Sequence, residues 1–183
     1  MDIKYLYLRI WDQKMNIRHE NHTDFKEIES LIYRAFMNHP HHEPGATPTE
    51  HLIVNKLRDV NALSLSLVCE DETGTIGHIA FSPVLIDGEK SFWLGLGPVS
   101  VMPDRQGEGI GGALIREGIL QLQSQGIEGL VLLGEPEYYG RFGFVSEPNL
   151  TLPNVPPEYF LTLALSNDVP TGEVAYHSAF FDN

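Results

Sequence analysis

Leu94-Gly-Leu-Gly-Pro-Val-Ser-Val-Met-Pro-Asp-Arg-Gln-Gly-Glu-Gly-Ile-Gly-Gly-Ala-Leu114 is the stretch on which the fold turns. It reads as a strand, a glycine-rich loop and the first turn of a helix. Gly107, Gly109, Gly111 and Gly112 strip side chains from the helix entry, so that several backbone N–H groups can converge on an anion at the positive end of the helix dipole. A sharp turn or close helix packing also uses glycine, but four glycines in six positions exceed what a turn needs. Proline beside glycine inside the strand, at Gly97-Pro98, predicts a broken ladder and a bulge.

The spacing narrows which phosphate could sit there. Gly107-x-Gly109-x-x-Gly112 matches the dinucleotide fingerprint letter by letter. That fingerprint, however, places its first glycine directly at a strand end within an early βαβ unit. Here Pro103-Asp104-Arg105-Gln106 intervene, and the preceding strands read as hairpin-linked. No glycine-lysine-serine/threonine follows, which removes the nucleotide P-loop. A dinucleotide-binding protein stays as an alternative.

Working outward, Asn16 to His19 reads as a strand. A helix capped by Thr23 or Asp24 follows, with Phe25, Ile28, Leu31, Ile32, Ala35 and Phe36 at helical spacing. His39-Pro40-His41-His42-Glu43-Pro44-Gly45 is a breaker-rich loop. Its histidines crowd too closely for a tetrahedral metal site, so no metal is expected. A second helix fits Thr49 to Arg58. Leu63 to Glu70, Thr75 to Leu85 and Ser91 to Met102 predict an antiparallel meander. A helix from about Gly109 to Gln125 comes next, and Leu130 to Leu133 has the apolar run of a strand buried on both faces. A short helix around Glu137 to Phe142 and strands at Tyr159 to Leu165 and Glu173 to Phe181 complete the order.

At 183 residues one domain is expected. Residues 15–183 form it, and residues 1–14 read as an N-terminal arm or an extra edge strand, with Met15 a candidate alternative start. The net charge of −13 divides unevenly, since residues 61–183 hold 4 basic and 16 acidic groups. Such a field disfavours nucleic acid and anionic membrane surfaces. Cys69 is the single cysteine and sits in an apolar strand pattern, which excludes an intrachain disulfide framework. No run approaches the roughly 20 apolar residues of a membrane helix, and the N-terminus lacks secretion-signal features. A cytoplasmic protein is expected.

The central stretch resembles the GNAT N-acetyltransferase superfamily, whose coenzyme A pyrophosphate rests on a Gln/Arg-x-x-Gly-x-Gly/Ala loop. Gln106-x-x-Gly109-x-Gly111 fits it without a gap, and Gly97-Pro98-Val99-Ser100-Val101-Met102-Pro103 is similar to the family's preceding strand, with Ser100 in place of the common alanine. Tyr139 with Gly143-Phe144 matches a second motif, Tyr-x-x-x-Gly-Phe. The C-terminal part is similar to a bacterial branch of uncharacterised N-acetyltransferases.

The resemblance implies an α/β (α+β) GNAT fold. Its sheet would be mixed, mostly antiparallel, of about seven strands, splayed at the bulge and covered by helices on both faces. It implies acetyl-CoA as co-substrate, held by Gln106, Gly107, Glu108, Gly109, Ile110, Gly111 and Gly112. Pantetheine would bond to backbone groups near Val99 and Val101. A neutral primary amine would attack directly within a ternary complex. A backbone N–H near Val99 would steady the oxyanion, and Tyr139 would protonate the departing thiolate. Glu135 is the local candidate for the base, and a cap on the next helix is its other reading; Glu70 and His78 are further options. Tyr138 reads as a core aromatic. The acceptor is a small-molecule or peptide amine, with a cationic one favoured by the acidic field. A silent acyl-CoA-binding module and a homodimer both stay open.

Overall fold

The computed structural model describes residues 15–37, 47–166 and 168–181. In chain order these form β1 (Asn16–His19), α1 (Phe25–Phe36), α2 (Glu50–Asp59), β2 (Leu65–Asp71), β3 (Gly74–Ile86) and β4 (Glu89–Val101). There follow α3 (Ile110–Ser124), β5 (Gly129–Leu133), α4 (Pro136–Tyr139), β6 (Leu150–Thr151), β7 (Phe160–Ala164) and β8 (Gly172–Ala175). The arm at 1–14 and the histidine loop at 39–45 lie outside the described residues. The sheet runs β1-β2-β3-β4-β5-β7, with β8 joining the far end of β3 and pairing with β6. Along the main path only β4 and β5 are parallel. The eight strands include a two-residue β6 that its sequence did not announce.

Alternation along the strands sorts the core into two faces. Leu65, Leu67, Cys69, Ile79, Phe81 and Leu94 meet Ile110, Leu114, Ile115 and Leu122 of α3. Val68 and Ala80 meet Ile28, Leu31, Ile32 and Val54 of α1 and α2. Cys69 is wholly buried, and burial pushes its thiol up to about 11, which leaves it inert at neutral pH. Helix α3 lies close to the sheet because Gly118 faces the Phe81 ring; a Cβ there would stand 2.5 Å from Phe81 Cζ. Gly118→Ala is therefore expected to cost about 1–3 kcal/mol through overpacking, although alanine gains about 1 kcal/mol in helix propensity. Urea unfolding checks this, and a midpoint unchanged or raised would refute it.

Two local readings need correction. Asp24 stands at the N-cap of α1 but makes no side-chain cap hydrogen bond. Its carboxylate instead accepts from Arg18 Nη1 and Nη2 at 2.7 and 2.9 Å and from the Asn21 N–H at 2.7 Å. The charge-assisted fork outcompetes the cap. The last strand stops at Ala175 rather than Phe181, and a 3-10 turn spans Ser178–Phe180. His177 Nδ1 accepts the Ala179 N–H at 3.1 Å, and Ala179 drops into the core beside Ile53 and Leu57.

Candidate active site

The Gly97-Pro98 segment produces the expected break. Between the pairs Phe81↔Leu96 and Ile79↔Val99, β4 carries one more residue than β3. Pairing between β4 and β5 ends at Gly95↔Val131 although both strands continue, so the two diverge beyond that point. Met102 N–H bonds to Ile76 C=O. In an antiparallel ladder this commits Ser100 and Met102 to β3 and turns the backbone groups of Val99 and Val101 toward the gap. The Gln106 amide already reaches the Val101 carbonyl at 3.3 Å, closing the loop onto the strand.

Beyond β4 the 3-10 turn Pro103–Arg105 leads into Gly107 and Gly109, at φ +83° and +86°, conformations that only glycine adopts readily. Ala113 N–H to Gly109 C=O is the first bond of α3, so the N–H groups of Ile110, Gly111 and Gly112 have no partner within the helix. They border a cleft of about 540 Å³ walled by Val99, Val101, Gln106, Gly107, Gly109 and Tyr138. Glu108 is the exception among the proposed cradle residues, because its side chain turns to Arg105 Nε at 2.9 Å and it forms no part of the wall. Arg105 also bonds to Asp71 at 2.7 Å, which ties the loop to the end of β2. Thr73 and Arg105 hold the Asp71 carboxyl down at about 2.

Besides Arg105, two further arginines among the described residues line the cleft: Arg116, 5.0 Å over Phe142, and Arg141, 4.5 Å over Tyr138 and bonded to the Tyr138 carbonyl. Neither was assigned to the site from sequence. The four-residue spacing Gly112 to Arg116, one turn up the same helix face, was the available signal.

A second cavity of about 280 Å³ adjoins the first through Val99 and Tyr138 and is lined by Phe36, Leu96, Gly97, Leu133, Glu135 and Tyr139. Tyr138 is thus a wall of both cavities and not only a core aromatic. Tyr139 packs edge-on against Tyr138 at 4.9 Å and Phe144 at 6.0 Å. A side chain at Gly134 would overlap its ring. Burial, with a smaller contribution from Tyr138, pushes the Tyr139 phenol up to about 12. Glu135 occupies the N-cap position of α4 through its backbone, and its side chain makes no cap hydrogen bond. Glu135 is an exposed residue that lines this second cavity.

The other candidates for a base lie elsewhere. Glu70 accepts from Arg18 Nη2 at 2.7 Å and Asn16 at 2.9 Å on the β1 edge. His78 is fully buried on the α1–α2 face, with Nε2 2.9 Å from Ser66 Oγ and 3.8 Å from Glu20. Burial lowers its pKa, and Nδ1 has no hydrogen-bond partner. Serine and glutamate crowd the same ring nitrogen, so the trio lacks the relay geometry of a nucleophilic triad. Among the described residues, no group of three or more histidine, cysteine or acidic side chains gathers as a metal site, and no helix is long and apolar enough to cross a membrane.

Comparison with known proteins agrees with this geometry. Residues 63–146 match the acetyltransferase (GNAT) domain model. The uncharacterised N-acetyltransferase YhbS of Escherichia coli K12 is 37% identical over 131 residues, covering 71% of this chain and 73% of that protein. A GNAT acetyltransferase from Brucella melitensis, solved in complex with acetyl-CoA, superposes with a TM-score of 0.79 at 49% identity, covering 91% of this chain and 97% of its own. The E. coli YhbS structure in complex with CoA gives 0.81 at 34% identity, covering 91% and 92%. The motif at the helix entry, the splayed strands and these relatives converge: the chain belongs to the GNAT family of N-acetyltransferases, close to its bacterial YhbS-like members.

Proposed function

We propose that this chain is a cytoplasmic N-acetyltransferase that carries acetyl from acetyl-CoA to a primary amine by direct attack in a ternary complex. The observation that carries the reading is continuity. One wall leads from the bare N–H groups at the start of α3, along the freed edge of β4, to Tyr139 and Glu135. The pyrophosphate rests on Gly107, Gly109, Ile110, Gly111 and Gly112 with Gln106 at the loop, and Glu108 contributes only its backbone and its tie to Arg105. Pantetheine bonds to the exposed backbone of Val99 and Val101. Glu135 accepts a proton from the ammonium, directly or through water. The amine nitrogen then bonds to the thioester carbon, with the Val99 N–H facing the developing oxyanion. The carbon–sulfur bond breaks, Tyr139 gives its proton to the leaving thiolate, and the proton that the acylated nitrogen sheds as the amide forms restores the phenol.

The same fold argues against the dinucleotide alternative. The first glycine lies six residues beyond the end of β4, across a 3-10 turn, where a dinucleotide site needs its first glycine directly at the strand end. Thermal stabilisation by acetyl-CoA but not NAD, with free-thiol release across an amine panel, is the expected pair of results. Release at background rate with every amine would leave only a silent binding module.

With Arg105 committed to two carboxylates, Arg116 and Arg141 are the cations available at the cleft among the described residues. Arg116→Ala and Arg141→Ala are each expected to weaken acetyl-CoA binding roughly three- to tenfold and to flatten its salt dependence. Calorimetry at low and high salt measures both. Affinity insensitive to either change would leave the backbone groups as the sole phosphate contacts.

A further inference from the structure

A third cavity, of about 510 Å³, opens from the Tyr139 cavity and shares Phe36, Leu96, Gly97, Pro98 and Leu133 with it. Its far walls are Ile53, Leu152, Pro153, Val155, Phe180 and Phe181, and Glu50 is the single ionisable carboxylate among its described lining residues. Beside Glu50, a second polar side chain is built into this apolar space. Tyr176 packs at a tilt against Phe180, with ring centroids 5.1 Å apart, and its ring crosses Gly95, the last residue of β4 paired with β5; a Cβ there would stand 2.5 Å from Tyr176 Cε1. The Tyr176 hydroxyl is buried without a hydrogen-bond partner. A phenol in such a place costs stability unless something bonds to it, and Tyr139 is near enough to act on it electrostatically.

Resting on the acetyl-transfer reading above, we propose that this cavity seats the apolar body of the acceptor, a primary monoamine bearing an aromatic or branched aliphatic group, and that the Tyr176 hydroxyl hydrogen-bonds its nitrogen end at the mouth of the gap. The sequence favoured a cationic acceptor from the overall charge. The cavity refines this to one charged end and an apolar remainder, because a second ammonium would be desolvated against leucine, valine and phenylalanine. Tyr176 is a positioning residue here, and its loss acts on acceptor binding rather than on acetyl-CoA.

The test is steady-state thiol release by the full chain with 2-phenylethylamine, isoamylamine, putrescine and ethanolamine. The two apolar amines are expected to exceed putrescine and ethanolamine at least roughly tenfold in kcat/KM. Leu152→Asp, at a half-buried position, should lower kcat/KM for the apolar pair about tenfold through KM without lowering it for putrescine. Tyr176→Phe should raise KM for the amines severalfold while the acetyl-CoA Kd is unchanged. Preference for putrescine or ethanolamine, or an equal loss for all amines in Leu152→Asp, overturns the proposal. Calorimetry of 2-phenylethylamine on the CoA-loaded protein separates the two levels of argument. Binding without turnover supports the apolar site and sinks the transfer reading, whereas neither binding nor turnover sinks both.

Discussion

The Tyr139→Phe variant is expected to lose roughly 100-fold or more in kcat, while its affinity for acetyl-CoA stays within about twofold. Phenylalanine keeps the ring between Tyr138 and Phe144, so the wall is preserved and only the proton is removed. A 100-fold loss corresponds to about 2.7 kcal/mol of barrier, within what one positioned general acid supplies. The pH dependence follows from the direction of the shift. An acid acts while protonated, and burial raises the Tyr139 phenol to about 12, so its working range extends upward. Wild-type kcat/KM should climb as the amine loses its proton near pH 10, with no falling limb from Tyr139 below about pH 11. Stopped-assay profiles between pH 6 and about 11 check this. A phenylalanine variant with wild-type kcat would move the acid elsewhere, with Tyr138 on the same wall the first to test.

Much of this site was legible in the chain because its chemistry is carried by main-chain groups, and sequence displays these wherever glycine and proline force them open. Gly97-Pro98 foretold the bulge, and the glycines from Gly107 to Gly112 foretold the bare helix start. Strand periodicity likewise placed Cys69 inside and the meander in order. What stayed hidden depends on distance across the fold. Arg116 and Arg141 stack on aromatic rings contributed by the α4 segment, and no local pattern tells which surface arginines will do so. Glu108 looks like part of the cradle, yet its partner Arg105 also bonds to Asp71, 34 residues earlier. Tyr176 read as one alternating position of a strand ending at Phe181. The strand stops at Ala175 because the segment bends over Gly95 to line a cavity, a contact that only the folded sheet creates.

Gly111→Val is expected to raise the Kd for acetyl-CoA about 100-fold, some 2.7 kcal/mol, with little change in the unfolding midpoint. Gly111 lies within α3, one residue past its start, with ordinary helical backbone angles. Valine is no worse a helix former than glycine, so the substitution carries no backbone strain. Its side chain would project into the cleft: a Cβ there lies 3.2 Å from Tyr138 Oη and 3.6 Å from Val101 Cγ2, both on the cleft wall. The two further methyl groups would stand where the N–H groups of Ile110, Gly111 and Gly112 must be approached, and a phosphate oxygen needs about 2.7–2.9 Å to reach them. The contrast with Gly118→Ala makes the result interpretable. That glycine is two turns further along the same helix and faces Phe81 in the core, so its substitution should lower stability and leave acetyl-CoA affinity alone. Calorimetric titration and urea unfolding on both variants give four numbers. If Gly111→Val binds acetyl-CoA normally, the phosphates do not lie on the start of α3, and the glycine-rich entry serves packing alone.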